Sequence, residues 1–278
     1  MLDRLNAIIE SNIFVHILLI LLLIVIIFPV YYSFIVSSSE RVEVYERPPT
    51  FTPGDQLVTN FYRVWHGTDL PRALFNSTVF SLSVTFGKLI ISLMTAYAIV
   101  FFDFKLAAPV FFLTLFTLMM PVPVRLMSTY EVVSSLGMID TYQGLILPMI
   151  ASATGTFLFR QIFKTIPNEL AEATVIDGGG PLQFFFHVLL PLIKTNAAAL
   201  FVILFIWTWN QYLWPLLITT SSEMRVVQLG IEGLIPGGGQ LPDWTLIMPY
   251  VVSAMVPPLV VILGLQRYFV KGLIEPNK

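Results

Sequence analysis

The stretch "IFVHILLILLLIVIIFPVYYSFIV" (13–36) contains no Asp, Glu, Lys or Arg. A helix rises about 1.5 Å per residue, so this run can cross the roughly 30 Å hydrocarbon core of a bilayer. Lipid admits only helices and closed barrels, and the run lacks the alternation of a barrel strand. It therefore predicts a membrane-spanning helix. The short lead carrying Asp3 and Arg4 also suits a signal peptide. The apolar stretch is too long for one, however, and "YYSFIVSSSE" (31–40) offers no A-x-A cleavage pattern. An uncleaved anchor is expected.

Five further apolar runs follow, and together they predict spans at about 13–36, 73–102, 108–127, 141–160, 196–219 and 244–266. The expected fold is all-α and polytopic, one transmembrane domain over residues 1–278. Composition agrees. The chain is 56% hydrophobic and 12% charged, with mean hydropathy +0.81. A soluble domain carries about 25% charge, so this one cannot face water all round. The absence of cysteine removes disulfides and thiolate chemistry. His16, His66 and His187 are scattered over different segments without metal-ligand spacing, so no metal site is expected. The net charge of −2 carries no argument for nucleic acid, and no such partner is expected.

Six spans place both ends on one side of the membrane. With cytoplasmic ends, the inner segments hold Arg4, Lys105, Arg160, Lys164, Lys194, Arg267, Lys271 and Lys278. The outer segments hold Arg41, Arg47, Arg63, Arg72, Arg125 and Arg225. The excess lies inside, as the positive-inside rule requires. Both termini and the loop at about 161–194 are therefore expected in the cytoplasm.

That loop contains "ELAEATVIDGGGPLQFFFHVLLP" (169–191), which is too polar to cross a bilayer and too short to form a domain. Pro167 and Glu169 suit a first helical turn. Gly178–Gly180 suit its end, since glycine takes left-handed conformations at little cost. Pro181 can open a second helix, expected to run to Pro191. Small residues there allow another backbone to approach closely, and Glu172 and Asp177 can pair with cations on a partner. The alternative is an interfacial loop whose glycines merely turn the chain.

The pattern Glu172, Ala173, Asp177, Gly178, followed by Val188, Leu190 and Pro191, resembles the cytoplasmic "EAA" loop of binding-protein-dependent ABC importer permeases. Thr174 and Gly179 depart from it, standing where alanine is common. "FNSTVF" (75–80), "TAYAIVFFDF" (95–104), "SSLGMIDTYQGLILP" (134–148), "FLFRQIFKTIPNELAEA" (157–173) and "WNQYLWPLL" (209–217) extend the resemblance to the carbohydrate-uptake permeases over nearly the whole chain. Within that family, order and wording are similar to the second permease of sn-glycerol-3-phosphate importers. The resemblance implies the MetI-like permease fold and an inner-membrane subunit without catalytic residues. It implies as partners a second permease forming a heterodimer, two copies of a cytoplasmic ATPase, and an extracytoplasmic substrate-binding protein. It also implies that Glu172, Ala173, Asp177, Gly178, Leu190 and Pro191 form a coupling helix seated in the ATPase. The cargo implied is sn-glycerol-3-phosphate or a related glycerophosphodiester, with a neutral sugar as the alternative. No G-x-x-x-x-G-K-[ST] loop occurs, so ATP and magnesium would act at the partner ATPase and this chain would bind no cofactor.

Three further features stand out. Lys88 lies deep within an apolar run, where an unpaired ammonium costs at least about 2.5–3.5 kcal/mol. Either it pairs with carbonyl groups or the partner permease, or the span is shorter than drawn, or it faces the translocation pathway and serves an anionic substrate. Asn210 and Gln211, within the aromatic cluster "WTWNQYLWP" (207–215), can line a pathway or bond across helices. "GIEGLIPGGGQLPDW" (230–244) is either a plain connector or, as the resemblance implies, a loop in which Gly237, Gly238 and Gly239 reach the binding protein. An ion-coupled secondary transporter usually places acids within its spans, and these apolar runs have none. A membrane enzyme would need an acid–base pair or nucleophile, which Asp103 and Lys105 do not supply.

Overall fold

The computed structural model describes residues 12–274. Arg4 and Lys278, counted above for sidedness, lie outside them. Among the described residues the regular structure is all helical: α1 (Asn12–Ser38), α2 (Leu57–Gly67), α3 (Leu70–Phe101), α4 (Ala107–Met119), α5 (Val122–Ser135), α6 (Tyr142–Ile146), α7 (Ala153–Phe163), α8 (Glu169–Ile176), α9 (Pro181–Trp209), α10 (Leu213–Ile218), α11 (Val227–Gly233) and α12 (Trp244–Ile274). By contact they form two compact units. One runs up to Leu70 and includes Ile231–Met255; the other holds Pro71–Gly230 and the chain from Val256 onward.

In the first unit, α1 exposes Ile13 through Phe28 on all sides. Such an all-round apolar surface is stable only against lipid. The helix becomes buried at its end, where Asn60 Nδ2 donates to the carbonyls of Ser37 (3.1 Å) and Ser39 (3.0 Å). These bonds satisfy carbonyls left over at the helix terminus and fix α2 against it. Asp243, just before α12, accepts from Arg63 at 3.2 Å and from Thr245 Oγ1 at 2.7 Å, with Arg41 at 3.9 Å. Burial alone would raise its carboxyl pKa; Thr245 and Arg63, with Arg41 beyond, outweigh that and hold it below the usual range.

The second unit is organised around α3. Ser77, Ser81, Thr85, Lys88, Ser92 and Ala96 form one buried stripe on it, and such small residues let helix backbones come together. Two glycines mark close approaches between α3 and its neighbours. A Cβ at Gly87 would lie 2.7 Å from Ile150 Cγ2, and one at Gly155 would lie 2.6 Å from Ser92 Oγ. Leu89 and Ala96 of α3 then pack with Phe159 and Phe163 of α7 and with Phe184, Leu189, Ile193, Leu200 and Leu204 of α9.

Among the described residues four helices are long and apolar enough to cross a membrane, and up to six spans result if each bent pair counts as one. The expected span at 108–127 is divided by a 105° turn, and that at 141–160 by a 41° bend. Pro121 and Pro123 stand at the first break, where a proline cannot donate to the preceding turn. The second reopens at Ser152, whose hydroxyl accepts from Gly155 N–H at 3.1 Å as an N-cap.

The helix expected to stop at Pro191 does not stop there. It runs on as α9 from Pro181 to Trp209, where the sequence suggested a separate span over 196–219. Phe184–Leu189 form a widened π-type stretch, and Leu190 N–H bonds to the Phe185 carbonyl five residues back. The widening lies just ahead of Pro191 and loosens the turn that its ring would crowd. Past Trp209 the chain breaks at Asn210–Tyr212 before the short α10.

Candidate functional site

Two groups of residues in the second unit can do functional work. The first is the turn between α8 and α9. The N–H of Gly178 bonds to the carbonyl of Val175 (3.0 Å) and that of Gly179 to Thr174 (2.8 Å), a Schellman pair closing α8. Gly178 has φ +79° with open space around it. Ala171 packs against the core cluster of α3, α7 and α9. Glu172, Ala173, Asp177 and Gly178 face outward, as do Val175 and Ile176 at 70% and 85% exposure. The segment therefore has an inner anchor and an outer face that combines acidic and apolar groups. Leu190 is partly buried and Pro191 exposed, one turn and more into α9.

The second group surrounds a cavity of 690 Å³. Lys88, Asn210 and Gln211, distant in sequence, all line it. Lys88 is 4% exposed. It sits 18 residues from Leu70 and 13 from Phe101, about 27 and 20 Å along the helix at 1.5 Å per residue. Its ammonium lies 3.8 Å from the Trp207 ring centroid, and such a cation–π contact contributes about 2 kcal/mol when desolvated. Lys88 makes no ion pair among the described residues. Asn210 and Gln211 donate back to the carbonyls of Ile206 (2.8 Å) and Trp207 (3.4 Å), capping the end of α9.

Sequence reading overlooked two members of this cavity. Arg125 entered only as an outer-loop charge, and Trp207 only as part of an aromatic cluster. A signal for Arg125 was present: Ser128 and Thr129 follow it at helical spacing, and all three line the cavity. Among the described residues no carboxylate lines it, it offers no nucleophile–base pair, and no group of three or more His, Asp or Glu could hold a metal. The cavity can hold an anion.

Gly237, Gly238 and Gly239 belong to the first unit. All three are exposed, and Gly238 and Gly239 have φ of +74° and +80°.

Comparison with known proteins gives three findings. The family model described as binding-protein-dependent transport system inner membrane component matches residues 88–275. The sn-glycerol-3-phosphate transport system permease proteins UgpE of Brucella melitensis biotype 1 and Rhizobium meliloti (strain 1021) are each 46% identical over 275 residues, covering 96% of this chain and 98% of theirs. A solved bacterial ABC transporter involved in the import of the acidic polysaccharide alginate aligns with TM-score 0.83 at 21% identity, over 96% of this chain and 97% of that one. That likeness shows a shared fold.

Proposed function

The chain belongs to the binding-protein-dependent transport system inner membrane components, and from that premise we propose that it is a permease subunit of an ATP-driven importer for sn-glycerol-3-phosphate or a related glycerophosphodiester. Membership implies an ATPase, a second permease and a substrate-binding protein as partners. In the proposed assembly this chain pairs with a different permease, two ATPase copies bind ATP and magnesium, and this chain holds neither. Both termini lie in the cytoplasm. The turn at Glu172–Gly178 seats in the ATPase, and Gly237–Gly239 face the binding protein.

Lys88 carries the substrate reading. A buried ammonium on a cavity with no carboxylate among its described lining residues favours an anionic cargo over a neutral sugar, because among those residues only the Trp207 ring compensates its charge. The names of the 46% identical relatives point to the same cargo.

The test is uptake by the complete importer in sealed vesicles. Labelled sn-glycerol-3-phosphate should accumulate only with ATP and binding protein present. Uptake of a neutral oligosaccharide alone would overturn the cargo, and accumulation driven by an ion gradient without ATP would overturn the mechanism.

A further inference from the structure

The Lys88 cavity has a second cation, and its position on another helix is the starting point. Arg125 projects from α5 into the space that Lys88 lines from α3. The two differ in what they can do. Lys88 is a point charge, 4% exposed and faced by the Trp207 ring at 3.8 Å. Arg125 is exposed, and no hydrogen bond or ion pair engages its guanidinium among the described residues. A guanidinium presents a planar fork matched to two phosphate oxygens, which an ammonium does not.

The other polar side chains that line the cavity are neutral. Thr129 Oγ1 donates to the Arg125 carbonyl at 2.7 Å, and Asn210 and Gln211 each spend one amide N–H on the end of α9 and keep a second. Positive charge is thus the strongest recognition element in the cavity, with these amides beside it. At 690 Å³ it has room for a small phosphorylated polyol.

We propose that Lys88 and Arg125 together form a site for the doubly charged phosphate of a phosphomonoester, with Arg125 setting the preference for two negative charges over one. Lys88 neutralises the first charge, which a monoester and a diester both carry. Arg125 neutralises the second, which only the monoester carries above its second pKa of about 6. This inference rests on the phosphate-ester reading above, but assigns to this subunit a direct part in choosing between esters.

The experiment uses the complete importer in vesicles at pH 8, comparing saturating sn-glycerol-3-phosphate with a glycerophosphodiester. Arg125→Gln should lower monoester uptake about ten-fold or more and diester uptake less than about three-fold. Lys88→Met should lower both. Lys88→Arg, which keeps the charge, should recover at least half of the wild-type rate, and Arg125→Lys, which keeps the charge without the fork, should give monoester uptake above Arg125→Gln and below wild type. ATP hydrolysis stimulated by the binding protein reports assembly, and if Lys88→Met fails to assemble, the exposed Arg125 decides alone. Equal loss of both esters in Arg125→Gln, or no loss, overturns the inference while the importer reading stands. Wild-type vesicles that move neither ester overturn the importer reading itself. The assay is repeated in neutral and in anionic lipid. An Arg125 defect that tracks lipid composition assigns the guanidinium to lipid headgroups and also overturns the proposal.

Discussion

The phenol of Tyr97 donates a 2.8 Å hydrogen bond to the carbonyl of Pro181, joining α3 to the first residue of α9 just past the glycine turn. The Tyr97 ring is held by Phe101, Phe102, Phe184 and Phe185, with centroids 5.0–6.4 Å away. The start of α9 and α3 are therefore tied by a polar bond within an aromatic cluster.

Tyr97→Phe removes the bond and keeps the ring. A single hydrogen bond contributes about 0.5–1.5 kcal/mol, so insertion and assembly should survive. The expected result is normal ATP hydrolysis with fewer substrate molecules moved per ATP. An unchanged ratio in vesicles would leave Tyr97 a packing residue.

Gly178 has two separable properties, one conformational and one spatial. Its φ of +79° strains any other L-residue by about 1–3 kcal/mol, while the open space beside it can receive a partner. Asparagine tolerates the left-handed conformation far better than valine. If seating against the ATPase needs the space, Gly178→Asn and Gly178→Val should lose uptake and ATPase co-purification alike. If only the turn matters, the asparagine variant should keep both.

Run length and charge content made the all-helical, membrane-spanning fold legible, because a bilayer allows few alternatives to a long apolar segment. Tertiary particulars were not legible in the same way. The passage of α9 through Pro191 depends on a widened stretch whose Phe184 and Leu189 are buried by other helices, and composition does not report that. Lys88 stood out as a charge among apolar residues, yet its partner Trp207 lies 119 positions away and its companion Arg125 lies 37 away. Only the tertiary packing of α3, α5 and α9 brings these residues to one cavity.

Asp243 gives a pH prediction. Its carboxyl is held below the usual range, with burial opposing and Thr245 and Arg63 prevailing. A depressed carboxyl contributes stability that is present above the ordinary value of about 3.9 and lost as pH falls through the folded value. Arg63 is 46% exposed, so solvent limits the pair to about 1 kcal/mol or less. Asp243→Asn should therefore raise protease sensitivity of the 40–69 segment by a constant factor between pH 5 and 8. The difference from wild type should shrink below pH 4. A difference that widens on acidification would show that Arg63 and Thr245 do not hold the charged form.

The last prediction concerns the two positions that depart from the family pattern, Thr174 and Gly179. A Cβ at position 179 would lie 2.7 Å from Thr174 Cγ2 and 2.9 Å from the Thr174 carbonyl oxygen. The methyl cannot easily swing away, because Thr174 Oγ1 is held at 2.9 Å on the Leu170 carbonyl and that bond sets the rotamer. Threonine at 174 thus requires glycine at 179, and the two departures compensate each other. Gly179→Ala alone should loosen the turn at a cost of about 1–3 kcal/mol and reduce ATPase co-purification and uptake together. Thr174→Ala alone should be neutral or slightly stabilising, since alanine is the better helix former. The double variant should regain most of the loss, though not all, because the carbonyl contact remains. The coupling energy of the cycle should fall within the 0.5–3 kcal/mol seen for residues in contact. Simple additivity in uptake and co-purification would mean that the methyl yields after all, and that the two positions vary independently.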